Sequence, residues 1–413
     1  MSDADAILYV GARLPKRSET FVYREVLGLR ERGVSVPIAS VHPPEPDLEE
    51  PELRGLADES IPIYGRGLRG KLLVATDACR QSLVRLPRGL FETSPLYWVK
   101  YQLQCDAGYA LAKRVRSLGV AHVHAHMAHV PTTVAMHCAE ALGVPFSFTG
   151  HAADLFRDRS ALKTKLKRAV FVACISHWHR AFYNELVPRR DEDYPVIRCG
   201  VDVDQFKPTQ NGDREGMLAV GRLVRKKGFD LLIQAYADAG CETRLTIVGD
   251  GPERAPLQRQ IDDAGLGDRI ELVGAKANQE VRSMMQQRKT FVLPCRVAED
   301  GDRDGIPVVL MEAMASGMAV ISGDLPTIRE LVEDGVTGLM TQPSDMSALA
   351  EAIRRLHDDE GFSERLSIAG RRRVIDEFAL SVNLDRLTSA FLRARHADPG
   401  LNSTFATRAG EGA

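Results

Sequence analysis

The chain has 413 residues, 44% of them hydrophobic and 27% charged, with a net charge of −2. That composition describes an ordinary globular protein and gives no support for nucleic acid as a partner; the length predicts two domains, because a single core stops growing near ~250–300 residues. The cysteines at 79, 105, 138, 174, 199, 241 and 295 are scattered and form no CxxC pair, which excludes a disulfide framework or a zinc knuckle and fits a reducing cytoplasm.

The first residues, MSDADAILYVG, have no basic n-region, and no run approaches ~18 apolar residues, so neither a signal peptide nor a membrane span is expected. AILYVG (6–11) reads as a buried strand, 19–32 as a helix closed by Gly33, and VSVPIASV (34–41) as a second strand. Strand, helix and strand in so short a stretch make a βαβ unit and imply a parallel sheet. The proline-rich and acidic stretch 43–62 reads as a surface loop, and 66–118 as mostly helical and locally basic. Strands are expected near 120–125, 145–149, 170–175 and 195–198, with a helix over 131–142. Residues 200–215 lose apolar periodicity and read as a linker.

A second βα series starts at Met217. Strands are expected near 217–221, 244–248, 270–273, 290–294, 319–322 and 336–340, with helices over 228–238, 253–264, 278–287, 306–316, 326–333, 345–357 and 362–378. The spacing predicts a last amphipathic helix over 381–395 and a disordered tail from 397. The domains are therefore drawn at 1–203 and 204–380, with the helix 381–396 packing back on the first of them. Two doubly wound α/β domains in tandem are expected to face a central cleft, with ligands beyond the carboxyl ends of the strands.

Several stretches could carry chemistry there. Gly221-Arg222 and Arg225-Lys226-Lys227-Gly228 lie between a strand and a helix, where they read either as a diphosphate clamp or as a solvated basic loop. Gly249 and Gly274-Ala275-Lys276 are tight turns after strands. In EDGDRDGIPVVLMEAMASG (299–317) an acidic loop meets a helix that begins around Gly305, Ile306, Pro307 and Val308. Asp304 and Glu312, just over two turns apart, share one side. The loop imitates the start of an EF-hand, but its twelfth position is Met311, so calcium does not fit. His122, His124 and His126 alternate along one strand; they read as a metal set or as residues lining a strand end, with no acidic or cysteine partner expected nearby. His151 closes another strand, where it is a cleft residue or a core histidine. Basic residues at 66–88 and 157–168 read as solvated helix faces or as a docking surface for an anionic membrane or acceptor.

From AVGRLVRKKGFDLLIQAYA (219–237) through VLPCRVAEDGDRDGIPVVLMEAMASG, the second half resembles the nucleotide-sugar domain of the family-4 retaining glycosyltransferases, which have the two-domain GT-B fold. LPKRSETFVYREVLGLRERG (14–33) and residues 122–156 resemble the exopolysaccharide branch of that family. The resemblance implies a metal-independent hexosyltransferase without a cofactor. Its donor would be a nucleotide sugar, UDP-linked first and GDP-linked second, and its acceptor a sugar, a lipid-linked molecule or a small molecule. It assigns Arg222 and Lys227 to the donor diphosphate, Glu312 to the ribose, and His151 to the neighbourhood of the anomeric carbon. Asp304 stands in the place of the family's sugar-binding Glu, one methylene shorter. Gly221, Gly249, Gly274, Lys276 and the segment Gly305-Ile306-Pro307-Val308 complete the donor set. PKRSETF replaces the family's glycine-rich first loop, so Ser18, Glu19 and Thr20 are assigned to the acceptor, and His126 is placed in the same set. A cytoplasmic enzyme, peripheral at the inner face of the membrane, is expected. The rival readings are a non-catalytic nucleotide-sugar-binding protein and an epimerase or phosphorylase on the same fold. A dehydrogenase is not expected, because no GxGxxG opens either βα series.

Overall fold

A computed structural model describes residues 6–17, 19–46, 48, 50–64, 95–151, 159–209 and 214–396. They form two compact units. One comprises the described residues up to Ile175, His179–Ile197 and those from Leu384 on; the other comprises Ser176–Trp178 and Arg198–Asn383.

In the first unit, β1 (Ala6–Arg13), β2 (Ile38–His42), β3 (Ile61–Pro62), β4 (Val120–His126), β5 (Phe146–Gly150) and β6 (Phe171–Cys174) form one parallel sheet in the order β3-β2-β1-β4-β5-β6. Residues 6–11 are buried without interruption, as a parallel strand covered on both faces must be. The helices are α1 (Thr20–Glu31), α2 (Pro51–Glu59), α3 (Pro95–Val115), α4 (Val130–Leu142), α5 (Leu162–Arg168) and α6 (His177–Leu186), whose first two residues belong to the other unit. Two expectations need correction. The proline-rich stretch 43–62 is not simply a loop: Pro51 opens α2, a position where its missing N–H costs nothing, and Leu53 and Leu56 bury the helix. The strand expected at 195–198 reduces to a single bridge between Val196 and Cys174.

The second unit repeats the plan. Strands β7 (Met217–Val220), β8 (Leu245–Val248), β9 (Ile270–Gly274), β10 (Thr290–Leu293), β11 (Ala319–Gly323) and β12 (Leu339–Thr341) run parallel in the order β12-β11-β10-β7-β8-β9. Between them lie α7 (Phe229–Ala239), α8 (Arg254–Asp263), α9 (Asn278–Gln287) and α10 (Val308–Ala315), followed by α11 (Met346–Asp358) and α12 (Glu360–Arg373). Asp345 caps α11 by accepting from the Ala348 N–H at 2.9 Å, and Asp359 caps α12 by accepting from Phe362 at 2.8 Å. The helix expected at 326–333 is only a 3-10 turn over Ile328–Glu330, and the one expected at 362–378 ends in a π-turn from Val374 to Phe378. Pro307 precedes α10 in an extended conformation instead of entering it.

The last helix, α13 (Leu380–His396), joins the first unit from Leu384 on. Leu384 lies over Gly28 of α1, where a Cβ would stand 2.4 Å from its Cδ1. Asp385 pairs with Arg32 at 2.9 Å, and the Phe391 ring meets His122 at 5.1 Å and Phe171 at 5.5 Å.

Counted along the chain, each sheet has the strand order 3-2-1-4-5-6 of a Rossmann fold. The connections reverse direction between first and fourth strands, β1 and β4 in one unit and β7 and β10 in the other. At such a switch point the neighbouring loops part beyond the strand ends and leave a crevice for a ligand.

Candidate active site

In the second unit the crevice is built from the segments after β7 and β10. A 3-10 turn at Arg225–Lys227 follows β7 and presents two lysines. The Lys227 ammonium lies 2.7 Å from Asp304 Oδ2. Lys226 reaches Asp304 Oδ1 at 3.4 Å and Asp302 Oδ1 at 3.2 Å. Just past β10, the Cys295 thiol donates to Asp304 Oδ2 at 3.3 Å. Thr327 Oγ1 donates to the carbonyls of Asp304 at 3.3 Å and Gly305 at 3.2 Å, pinning the loop before α10.

The electrostatics follow from this arrangement. Burial opposes ionisation of Asp304, but Lys227 and Lys226 outweigh it and hold the carboxyl below its usual range. Burial likewise opposes the charge on Lys227, and Asp304 more than restores it. The Cys295 thiol is pushed well up by burial and then by Asp304, so it remains protonated and donates. The site is a buried ammonium with a resident counter-ion, beside a second lysine.

Glu312 is buried on α10 at 8% exposure, and Arg222 is exposed in the loop after β7. Gly221, Gly249 and Gly274 stand at the ends of β7, β8 and β9. Lys276 pairs with Glu280 at 3.3 Å, and Glu280 also accepts from the Ala277 N–H at 3.0 Å. Sequence reasoning passed over Cys295 and gave Lys226 no role of its own; their signal was the position of each beside a strand end.

In the first unit, the crevice between β1 and β4 holds a polar cluster. Glu25 Oε1 accepts from the Tyr9 hydroxyl at 2.7 Å and lies 2.9 Å from His126 Nε2. His126 Nδ1 is 3.2 Å from His151 Nε2, and the Phe21 ring lies 4.6 Å from that of His151. Burial holds His151 well below the ordinary histidine range, with His126, His179 and His129 adding to the effect, so the ring is neutral.

The histidines of β4 thus divide. His124 is committed on both nitrogens, to Ser147 Oγ at 2.7 Å and Thr149 Oγ1 at 3.0 Å of β5, and His122 bonds Ser147 Oγ at 2.6 Å. Burial lowers His122 to about 3 and His124 well below its ordinary value. An acidic partner does stand nearby, contrary to expectation. Glu25, His124 and His126 offer ligand atoms within 4.8 Å of one another, but the hydroxyls already occupy His124, and two ligands are too few to hold zinc.

Of the acceptor residues, Glu19 pairs with Lys16 at 2.5 Å, Thr20 is buried in the first turn of α1, and Ser18 lies outside the described residues. The basic stretch 66–88 also lies outside them, as does Arg157. In 159–168, Lys163 and Lys167 are exposed, and Arg168 pairs with Glu140 at 2.9 Å. Lys165 must be removed from any docking surface. It is fully buried and donates to the carbonyls of Ala128 at 2.7 Å, His129 at 2.9 Å and Ser160 at 2.9 Å. Among the described residues no helix is long and apolar enough to cross a membrane.

Two Rossmann sheets, one carrying a paired lysine at its switch point, define a GT-B protein. The chain matches the family Glycosyltransferase Family 4 over residues 18–205 and Glycosyl transferases group 1 over residues 201–373. It belongs to the glycosyltransferases of this group 1/family 4 type. It is 39% identical over 194 residues to the amylovoran biosynthesis glycosyltransferase AmsK of Erwinia amylovora, covering 45% of this chain and 47% of that protein. It is 30% identical over 213 residues to a GDP-mannose-dependent alpha-(1-6)-phosphatidylinositol monomannoside mannosyltransferase of Mycolicibacterium smegmatis, covering 48% of this chain and 56% of that one. The matches thus span about half the length of these curated relatives. The structure of Anabaena Alr3699/HepE in complex with UDP is similar in fold, with a TM-score of 0.70 at 16% identity over 94% of this chain and 100% of that one.

Proposed function

We propose that this chain transfers a hexosyl group from a nucleotide sugar to a sugar, lipid-linked or small-molecule acceptor, with retention at the anomeric carbon. The observation that carries the reading is the Lys227 ammonium, held by Asp304 in the loop leading to α10 at a switch point of the fold. A buried cation that is already desolvated and oriented meets a diphosphate with little reorganisation. In the transfer, the bond from C1 to the diphosphate oxygen breaks and a bond from C1 to the acceptor oxygen forms on the same face. The acceptor proton passes to the departing phosphate, and nucleoside diphosphate leaves. Arg222, Lys227 and the amino end of α10 answer the negative charge that develops on the leaving group. These cations fill the electrostatic role of a divalent metal, so the reaction needs none. Asp304 and Glu312 hold the hydroxyls of sugar and ribose, and His151 hydrogen-bonds the donor sugar.

A UDP-sugar is the favoured donor, since a protein of similar fold was solved with UDP; a GDP-sugar is second, since a relative is named for GDP-mannose. The work is placed in the cytoplasm, with acceptors reached at the inner face of the membrane. A thermal-shift panel of UDP-glucose, GDP-mannose and ADP-glucose in EDTA, followed by mass spectrometry of products, tests the reading. The UDP-sugar is expected to raise the melting temperature without metal. Stabilisation by none of the three defeats the proposal, and a shift that appears only with magnesium returns the acidic loop to the status of a metal site. Glu312→Ala is expected to weaken donor binding about 10- to 100-fold, because a hydrogen bond to a charged group is worth ~1.5–3 kcal/mol. An unchanged Kd in calorimetry would remove Glu312 from the donor site.

A further inference from the structure

We propose that Arg296 is a positioning residue for Lys227, a strut that keeps the turn after β7 seated on the loop after β10 while Lys227 exchanges Asp304 for the donor diphosphate. The catalytic consequence rests on the reading of Lys227 as the diphosphate contact; the strut itself does not.

The two segments that leave the switch point are tied to each other in opposite senses. In one sense the turn reaches the loop: Lys227 pairs with Asp304, and Lys226 with Asp304 and Asp302. In the other sense the loop reaches the turn, and the donors belong to Arg296. Its backbone N–H donates to the Lys226 carbonyl at 2.9 Å, and its Nε to the Arg225 carbonyl at 2.9 Å. Its Nη2 donates to Asp230 Oδ1 at 2.9 Å and Oδ2 at 2.8 Å. Asp230 lies in the first turn of α7, just beyond Gly228, where a carboxylate also suits the positive end of the helix. One guanidinium therefore grips the lysine turn from both of its ends.

An arriving anion treats the two sets of ties differently. A diphosphate competes with the carboxylates of Asp304 and Asp302 for the two ammonium groups. The acceptors of Arg296 are two carbonyls and a carboxylate, which do not bind an anion. Its side chain is 16% exposed, and Asp230 already answers its charge. The second set thus stays made when the first is given up, and the turn keeps its place. Arg225 is no substitute, since it stands 3.8 Å from Asp230 and closer to Glu253, at 3.3 Å. A lysine at 296 is none either, because an ammonium on a flexible stem does not reproduce the fixed array of guanidinium donors.

Hydrogen–deuterium exchange of the full chain without substrate tests the strut, and release of UDP from UDP-glucose tests its consequence. The Lys227 and Gly228 amides donate to the carbonyls of Val224 at 3.0 Å and Arg225 at 3.2 Å. In Arg296→Leu they are expected to exchange at least about 10-fold faster, with β8 unchanged. Unchanged exchange overturns the proposal. Asp230→Asn is the milder variant, expected to move the same amides in the same direction, and it decides the matter if Arg296→Leu does not fold. Arg296→Leu is also expected to lower kcat for donor hydrolysis about 10- to 100-fold, with KM changed less than about 3-fold. Arg296→Lys should fall in the same range; a wild-type rate there would mean that charge alone suffices and would overturn the strut. Added to Lys227→Ala, Arg296→Leu should cost less than about 3-fold more, because it acts through the lysine. Losses that simply multiply would make Arg296 an ordinary structural residue. If Lys227→Ala alone keeps wild-type hydrolysis, or the wild type hydrolyses no UDP-glucose, the reading of the donor site fails, while the substrate-free exchange still decides the strut.

Discussion

Lys227→Ala is expected to release nucleoside diphosphate from the donor about 10²- to 10³-fold more slowly than the wild type, the usual cost of losing one preformed contact to a developing oxyanion. Donor hydrolysis is the assay, so no acceptor is required. The effect on folding should be much smaller. Lys227 and Asp304 are both largely buried, with side-chain exposures of 12% and 13%, and breaking such a pair usually costs several kcal/mol because the survivor is left uncompensated. Here Asp304 is not abandoned. Lys226 stays at 3.4 Å and the Cys295 thiol still donates, so the melting temperature should fall by only a few degrees. A fall in melting temperature large enough to account for the lost turnover would make Lys227 a structural residue. The pH dependence adds a check. The folded Asp304 carboxyl lies below its ordinary value, so its ionisation contributes stability at neutral pH that is lost only as the pH falls through the folded pKa. Removing Lys227 raises that folded pKa, and acid unfolding should begin at a higher pH.

Gly249→Ala should cost about 3 kcal/mol or more and abolish the donor-induced thermal shift. A Cβ at this position would lie 1.9 Å from the Gly221 carbonyl oxygen, and its φ of +146° is one that side chains rarely adopt. The loops after β7 and β8 are braced against each other. The Leu223 N–H donates to the Asp250 carbonyl at 2.9 Å, and Glu253 N–H donates to the Leu223 carbonyl at 3.1 Å. Gly251 approaches the same Leu223 oxygen, which a Cβ would meet at 2.4 Å. An alanine therefore drives apart the loop that carries Arg222 and its neighbour. Gly240→Ala is the control: φ is +66° and nothing lies within 4 Å of its Cβ, so only the left-handed strain of ~1–2 kcal/mol applies. Differential scanning calorimetry should separate the two variants by several degrees; equal melting temperatures would mean that the loops yield without cost.

The βα alternation was legible because strands covered on both faces are apolar throughout, as residues 6–11 and 291–293 are. The lysines of 225–227 were legible because they fall between a strand and a helix. Helix α2 was hidden among prolines, and only the burial of Leu53 and Leu56, a tertiary fact, distinguishes it from a loop. Lys165 looked like its exposed neighbours, since nothing local reveals that three carbonyls converge on its ammonium. Glu25 was missed for a related reason: it lies 101 residues before His126, and the sheet order alone brings them together. The ion pairing of Asp304 was equally hidden. The resemblance assigns Asp304 to the donor sugar, and nothing local shows that the same carboxylate also pairs with the turn after β7.

The docking of Leu384 over Gly28, and of Phe391 against His122 and Phe171, has a bearing on biosynthesis. Translation emits residues at ~5–20 per second, so the roughly 200 residues separating Ile197 from His396 take on the order of 10–40 s to appear. Throughout that interval the first sheet and α1 have left the ribosome without the segment that covers them. The first sheet and α1 must await α13, and a nascent chain stalled before Leu384 would offer an apolar seam to chaperones.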